Sequence, residues 1–155
     1  MPATFLTFVA LGCSAPQPSP EVDRIELRLS GWSAVEVEVN KRGEGKYHLS
    51  EPPPHGKDGS FSLQPRQFAL LVARLRPFQR QAVPLTARSA QELIDRTCPQ
   101  GVPFVTDAGA VWVHWTGPGL DRHYLADLGC DAKRNAARNK ELLDALKSLP
   151  VPLGR

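Results

Sequence analysis

The chain has 155 residues, 15 of them proline and three cysteine, and a formal net charge of +3. This length allows one hydrophobic core and excludes two. Because the charge is mild and no block of Lys or Arg stands out, the composition predicts no nucleic-acid partner.

The first residues form the pattern of an export signal. Residues 5–12 are an uncharged apolar run, shorter than the roughly 20 residues of a membrane-spanning helix and typical of the apolar region of a signal peptide. The sequence Ala10-Leu11-Gly12-Cys13 resembles the lipobox of bacterial lipoproteins. The resemblance implies that residues 1–12 are removed and that Cys13 carries a lipid that attaches the protein to a membrane. Ser14 implies sorting to the outer membrane, facing the periplasm.

Two alternatives remain for this segment. Residues 5–12 would instead form a buried N-terminal strand, or the protein would be secreted or periplasmic and soluble. The residues after Cys13 favour a tether, because 14–20 are polar and proline-rich, and such sequences adopt extended polyproline conformations. We therefore divide the chain into a signal peptide at 1–12, a tether at 13–22, a domain at 23–150 and a tail at 151–155.

The first half of the domain has the pattern of strands. Branched apolar side chains alternate with charged ones, which is typical of strands buried on one face. Strands are predicted at 24–30, 35–40, 46–49 and 61–63, with a loop at 51–59. Glu26, Glu36 and Glu38 fall on the exposed side with Arg24 and Arg28, which predicts cross-strand ion pairs.

Glycines among basic residues predict a hairpin turn between the second and third strands. Gly43 and Gly45 lie between Arg42 and Lys46, and glycine supplies the positive φ that such turns need. A phosphate-binding loop would require a strand-to-helix junction, which this segment lacks. No cofactor is predicted.

The middle of the chain has the period of helices. The apolar residues from 68 to 75 form one helical stripe, with Pro65 in the first turn and Pro77 as its end. A second helix is predicted to begin at Ser89, whose side chain would cap it, and to end near Cys98.

Strands return before a last helix. Strands are predicted at 102–106, 111–115 and 123–128. A final helix would be capped by Asp131 and would bury the leucines between 142 and 149. Its basic residues Lys133 and Arg134 are interpreted as part of a solvated face.

The order of elements predicts an α+β fold, a mostly antiparallel sheet with two or three helices packed on one face. The body also loosely resembles small uncharacterised bacterial lipoprotein domains, through Trp32, Gly45-x-Tyr47 and Gly59-x-Phe61. That resemblance implies a fold and no activity.

If Cys13 carries a lipid, two cysteines remain. Cys98 and Cys130 would lie in an oxidising compartment, where such a pair forms a disulfide. A catalytic thiol is the alternative, but neither cysteine lies in a CxxC motif.

The aromatic and histidine residues of the last two strands predict a binding surface. Trp112 and His114 alternate with apolar residues and would face outward, and antiparallel pairing would bring His123 and Tyr124 across from them. Aromatic side chains supply large contact areas at small entropic cost. The alternative is that a helix covers this face and the tryptophans belong to the core.

No motif predicts catalysis or a metal. His114, His123, Asp121 and Asp107 lack the tight spacing of a zinc motif, and no GxSxG elbow is present. The sequence therefore predicts a non-catalytic binding or structural module of the cell envelope, whose partner is an envelope protein or ligand. One alternative is a periplasmic inhibitor of an envelope-directed enzyme, such as a lysozyme or protease, with the loop at 51–59 as its contact. A second is a metal-dependent hydrolase built on the two histidines.

Overall fold

The computed structural model describes residues 21–31, 34–50 and 56–153. The predicted signal peptide, Cys13 and most of the tether lie outside the described residues. So do Trp32 and the proline-rich first part of the loop predicted at 51–59.

The described part of the chain forms seven strands and three helices. Their bounds are β1 (Arg24–Leu29), β2 (Ala34–Asn40), β3 (Glu44–Ser50), β4 (Lys57–Ser62), α1 (Pro65–Gln79), β5 (Val83–Pro84), α2 (Ser89–Thr97), β6 (Ala110–Gly117), β7 (Leu120–Asp127) and α3 (Ala136–Lys147). β4 begins at Lys57, so the loop before it is shorter than predicted.

All the strands join one sheet in the order β4-β3-β2-β1-β6-β7-β5. Every pairing is antiparallel, including the one between β1 and β6, which are distant in sequence. The predicted α+β class with an antiparallel sheet is confirmed.

One face of the sheet forms the core. The alternating apolar residues of β1 and β2 are buried, with Ile25 and Leu27 at 0% exposure. α1 and α3 contact each other, and their apolar residues belong to the same cluster as these strand residues. The ring of Phe78 in α1 lies 5.4 Å from that of Tyr124 in β7, so both helices pack on this face.

The hairpin between β2 and β3 turns at Gly43, one of the two predicted glycines; Gly45 lies within β3 and does not have a positive φ. Gly43 has φ +83°, and a Cβ there would lie 2.0 Å from the carbonyl oxygen of Leu63. The Leu63 N–H donates to the Gly43 carbonyl over 2.8 Å. Only glycine fits, because the turn needs both the positive φ and the close backbone approach.

The prediction that Pro77 ends the first helix is wrong. α1 continues to Gln79 with Pro77 inside it. Proline removes one backbone hydrogen bond, but Phe78 is buried against Tyr124 at 3% exposure, and Arg80 N–H still donates to the Arg76 carbonyl. Burial of the phenylalanine offsets the missing bond.

The strand predicted at 102–106 is also absent. This segment makes one isolated bridge, between Phe104 and Cys130. Asp131 N–H donates to the Pro103 carbonyl and Val105 N–H to the Gly129 carbonyl. Because Pro103 has no N–H to donate to a neighbouring strand, the segment does not form a strand. It runs as a loop alongside residues 129–131, which follow β7.

Two helix starts differ from the predictions. Ser89 is the first residue of α2 and does not cap it, because its hydroxyl bonds to Thr86 and His123 instead. Asp131 has φ 40° and begins a series of turns, so α3 starts only after Asn135.

The packed domain is wider than the predicted 23–150. Val22 and Val151 are each 8% exposed and belong to the core cluster, and Leu153 packs against it. Within the described ranges, no helix is both long and apolar enough to span a membrane.

Candidate functional site

The sheet has a second face, which α1 and α3 leave open. Because side chains alternate, residues aligned across the strands share this face in rows. The first row is Asp58, His48, Glu36, Arg28, Trp112 and Leu125; the second is Ser60, Lys46, Glu38, Glu26, His114 and His123; the third is Ser62, Glu44, Asn40, Arg24, Thr116 and Asp121. We call these three rows the open face.

Charged residues at the centre of the open face form ion pairs. Arg24–Glu38 and Arg28–Glu36 are cross-strand pairs, as predicted, whereas Glu26 pairs with two arginines of its own strand, β1. Arg24 lies 3.7 Å from Glu26 and 3.8 Å from Glu38, while Arg28 lies 3.9 Å from Glu26 and 4.0 Å from Glu36. These separations are long and the groups are mostly exposed, so each pair stabilises the fold by at most about 1 kcal/mol. Carboxylates outnumber Lys and Arg on the open face, which makes it acidic in a chain of net positive charge.

Trp112 is the aromatic residue of this face, and it is partly exposed. The Arg28 guanidinium lies 4.8 Å from its ring centroid, a cation–π contact. The centroid of the His114 ring lies 5.2 Å from that of the indole. The indole is therefore held in place while part of its surface remains available to a ligand.

A chain of hydrogen bonds runs from Trp112 into the protein. Its indole N–H donates to Nδ1 of His123 over 2.7 Å, and Nε2 of His123 lies 2.7 Å from the Ser89 hydroxyl. His123 is 1% exposed and Ser89 is 2% exposed. α2 thus contributes its first residue to the edge of the open face, although the other helices pack on the opposite side.

The positions of the protons in this series of hydrogen bonds follow from the fact that the indole can only donate. An indole nitrogen can only donate, so Nδ1 of His123 accepts and its proton resides on Nε2. Burial, and next the neighbouring His114, lower the pKa of His123, while Asp121 opposes them. Neutral His123 therefore donates to Ser89.

This arrangement does not activate Ser89 as a nucleophile. Its oxygen accepts from His123 and from the Thr86 N–H, and its proton goes to the Thr86 carbonyl. A catalytic serine gives its proton to the histidine, whereas here the histidine gives its proton to the serine. The Ser–His contact is a buried structural link.

His114 occupies the neighbouring position and is 8% exposed. Its Nε2 lies 2.7 Å from an Asp121 carboxylate oxygen, and its Nδ1 lies 3.6 Å from Glu26. The imidazole thus contacts carboxylates in two adjacent rows, and these contacts hold the His114 ring in place beside Trp112.

The predicted binding residues divide between the two faces. Trp112, His114 and His123 share the open face, although His123 lies beneath its surface. Including Tyr124 was wrong: it pairs with Val113 on the core face and is 1% exposed. The alternative of two core tryptophans holds for Trp115, which is fully buried, and not for Trp112.

Two hollows mark the open face, and both touch Arg28 and Glu36. The acidic hollow has a volume of about 240 Å³ and is lined by Glu26, Arg28, Glu36, Val37, Glu38, Lys46, Tyr47, His48 and Asp58. The apolar hollow has a volume of about 330 Å³ and is lined by Arg28, Leu29, Ser30, Ala34, Glu36, Ala110, Trp112 and Leu125. A ligand that filled both would need an apolar part and a basic part.

The histidines do not converge as metal ligands. No group of three His, Cys, Asp or Glu among the described residues has the geometry to hold a metal ion. Both ring nitrogens of His123 are already hydrogen-bonded, and His48 pairs with Asp58 over 2.6 Å. The imagined set of His114, His123, Asp121 and Asp107 is therefore not assembled.

The predicted disulfide is present between Cys98 and Cys130. It joins the end of α2 to the segment after β7. Cys130 also forms a backbone bridge with Phe104. The loop between α2 and β6 is therefore tied to Cys130 by a covalent bond at its start and by a backbone bridge near its middle.

Sequence reasoning missed the part that Ser89 plays. Its position 34 residues before His123 carries no local signal, and its place next to a helix start favoured a capping role. Comparison of the chain with protein-family models and with curated proteins gave no match.

Proposed function

We propose that this protein is a non-catalytic binding module of the cell envelope, anchored through a lipid on Cys13, and that the open face contacts its partner. The observation that carries this proposal is Trp112, a partly exposed indole that contacts Arg28 and His114 and lines the apolar hollow. Tryptophan and arginine are the residues most enriched where binding energy concentrates.

The contacts that hold Trp112 in place support a role of this surface in binding a partner. The indole N–H is fixed by His123, and the two hollows meet at Arg28 and Glu36. A surface already in its bound geometry loses little entropy when a partner arrives. In the buried Ser–His pair the histidine donates to the serine, which is opposite to the direction that a catalytic serine needs, and this favours binding over hydrolysis.

The envelope assignment rests on the sequence and on the disulfide. The lipobox-like residues ending at Cys13 resemble those of bacterial lipoproteins, and disulfides persist in oxidising compartments. The Cys98–Cys130 bond agrees with a periplasmic or external location. Ser14 favours the outer membrane, and the tether would let the domain reach partners in the periplasm.

The contact surface can be tested by photo-crosslinking in the native envelope. Benzoylphenylalanine in place of Glu36, which lines both hollows, should yield a discrete crosslinked species. The same label in place of Ala137, exposed on α3, is the matched control. Crosslinking from Glu36 that Arg28→Glu abolishes is the expected result. Crosslinking from Ala137 alone would refute the open face as the contact.

The inhibitor alternative has one observation in its favour, at a place other than the loop predicted at 51–59. Phe104 and Val105 are each 55% exposed in the loop that the disulfide and the backbone bridge tie to Cys130. A rigid loop displaying apolar side chains suits insertion into an enzyme cleft. Stoichiometric loss of activity in a panel of lysozymes and proteases, relieved by Phe104→Ser, would support it; undiminished activity across the panel would exclude those enzymes as targets.

A further inference from the structure

α1 presents an outward face that contains arginine and apolar residues and no acid. From Asp58 to Glu92 the sequence has no other Asp or Glu but five arginines. The helical period places one set of exposed residues opposite the buried stripe of α1: Arg66, Ala69, Leu70, Ala73, Pro77 and Arg80. Leu70 is 60% exposed.

Within the part of the chain that the structure describes, the two arginines of this face have no carboxylate partner. None of the ion pairs among the described residues involves Arg66 or Arg80. On the flank of the helix, Arg74 donates to the carbonyl of Asp144 over 3.0 Å, and its charge adds to the hydrogen bond from Lys140 in lowering the pKa of the Asp144 carboxyl. The outward face of α1 is thus basic, whereas the open face of the sheet is acidic.

We propose that this face of α1 docks on the headgroups of an anionic lipid bilayer, with the open face turned away from the membrane. Arginine heads would contact lipid phosphates, and Leu70 would enter the boundary between headgroups and acyl chains. A lipid surface fits better than nucleic acid, because the centre of the face is apolar and offers no aromatic side chain for base stacking.

The position of the tether supports a membrane as the partner, and this step rests on the proposed anchor at Cys13. The carbonyl of Asp23, which directly follows the first core residue Val22, accepts the Lys41 N–H over 2.7 Å, and the carbonyl of Gly43 accepts the Leu63 N–H over 2.8 Å. α1 starts two residues later at Pro65. The tether therefore joins the domain at the end of the sheet where α1 begins, and about nine extended residues reach at most about 30 Å.

Vesicle sedimentation tests the docking independently of the lipid. The full chain carrying Cys13→Ser is mixed with vesicles of phosphatidylcholine, with and without phosphatidylglycerol, at several salt concentrations. Any partitioning through residues 5–12 is common to every variant and insensitive to salt. The extra binding to anionic vesicles should weaken with salt. Replacing both arginines, Arg66→Gln with Arg80→Gln, should reduce this binding about 25-fold, at about fivefold per arginine.

The matched control changes the same amount of charge elsewhere. Lys133→Gln with Arg134→Gln, both exposed before α3, should leave vesicle binding within twofold. Equal loss in the control, or no loss in the α1 variant, would overturn the proposal. Tighter binding of a short DNA duplex through Arg66 and Arg80 would also overturn it, by identifying a different polyanion. Failure of the anchor would show in the mass of the native protein and would leave these vesicle results unchanged.

Discussion

Replacing Trp112 with Phe separates the indole ring from its N–H group. Phenylalanine keeps an aromatic ring near Arg28 but leaves Nδ1 of His123 without its donor, which lies 2.7 Å away in the native protein. Since His123 is 1% exposed, water cannot readily replace that donor. An unsatisfied buried acceptor costs about 1–3 kcal/mol, and at this size about 1 kcal/mol lowers Tm by roughly 3–4 °C.

A double-mutant cycle assigns that loss to the hydrogen bond. His123→Leu removes the acceptor, and Ser89 keeps both of its bonds to Thr86. In the His123→Leu variant, Trp112→Phe leaves no buried acceptor without a donor. The free energy of unfolding that Trp112→Phe removes should therefore be smaller in this variant than in the native protein, by at least about 1 kcal/mol. Urea unfolding at pH 7.5 measures all four corners of the cycle. Additive effects, within about 0.5 kcal/mol, would refute the hydrogen-bonded chain.

Three further predictions follow from the fold and the buried polar groups. Burial, and next His114, lower the pKa of His123, so as pH falls the imidazole is protonated in the unfolded chain before it is protonated in the folded one. The free energy of unfolding should therefore decrease as pH falls below about 6.5, by at most about 1.4 kcal/mol per pH unit. Urea unfolding of His123→Gln should not show this pH dependence. Replacing Cys98 and Cys130 by Ser should cost about 3–4 kcal/mol, seen as a lower urea midpoint for the variant than for the oxidised protein, and equal midpoints would contradict it. Gly109→Ala should reduce Tm by several degrees, because φ is +77° and a Cβ would lie 2.0 Å from a backbone oxygen; an unchanged Tm would show that the loop relaxes.

Local patterns were sufficient to predict β1 and β2, but they did not predict β5, and they predicted a strand at 102–106 that is absent. In β1 and β2, apolar and charged residues alternate without interruption, and burial of one set fixes the face that each strand turns to the core. The turn at Gly43 was predictable for the same reason, because the conformation it needs depends on a single residue.

The side of the sheet on which Tyr124 lies depended on register, which the sequence pattern left open. A two-residue turn at Pro118 and Gly119 pairs His114 with His123, so the next residue, Tyr124, points to the other face. A shift of one residue would have reversed this result. Trp112, His114 and His123 share one face of the sheet, as predicted, whereas Tyr124 lies on the other.

Elements that depend on distant contacts were the hardest to predict. Pro77 ends helices by local rules, yet burial of Phe78 extends α1 past it. Ser89 has the local sequence pattern of a helix cap, but its hydroxyl is hydrogen-bonded to His123, a buried histidine 34 residues away. Neither outcome has a signal in the neighbouring sequence.

The anchor and the disulfide are tested together by the intact mass of the protein made from its own gene in a Gram-negative host, before and after reduction and alkylation. We expect a membrane-bound species that begins at Cys13, is heavier by a lipid, and gains two alkyl groups only after reduction, at Cys98 and Cys130. A soluble species that keeps residues 1–12 and alkylates three thiols without reduction would contradict both the anchor and the disulfide.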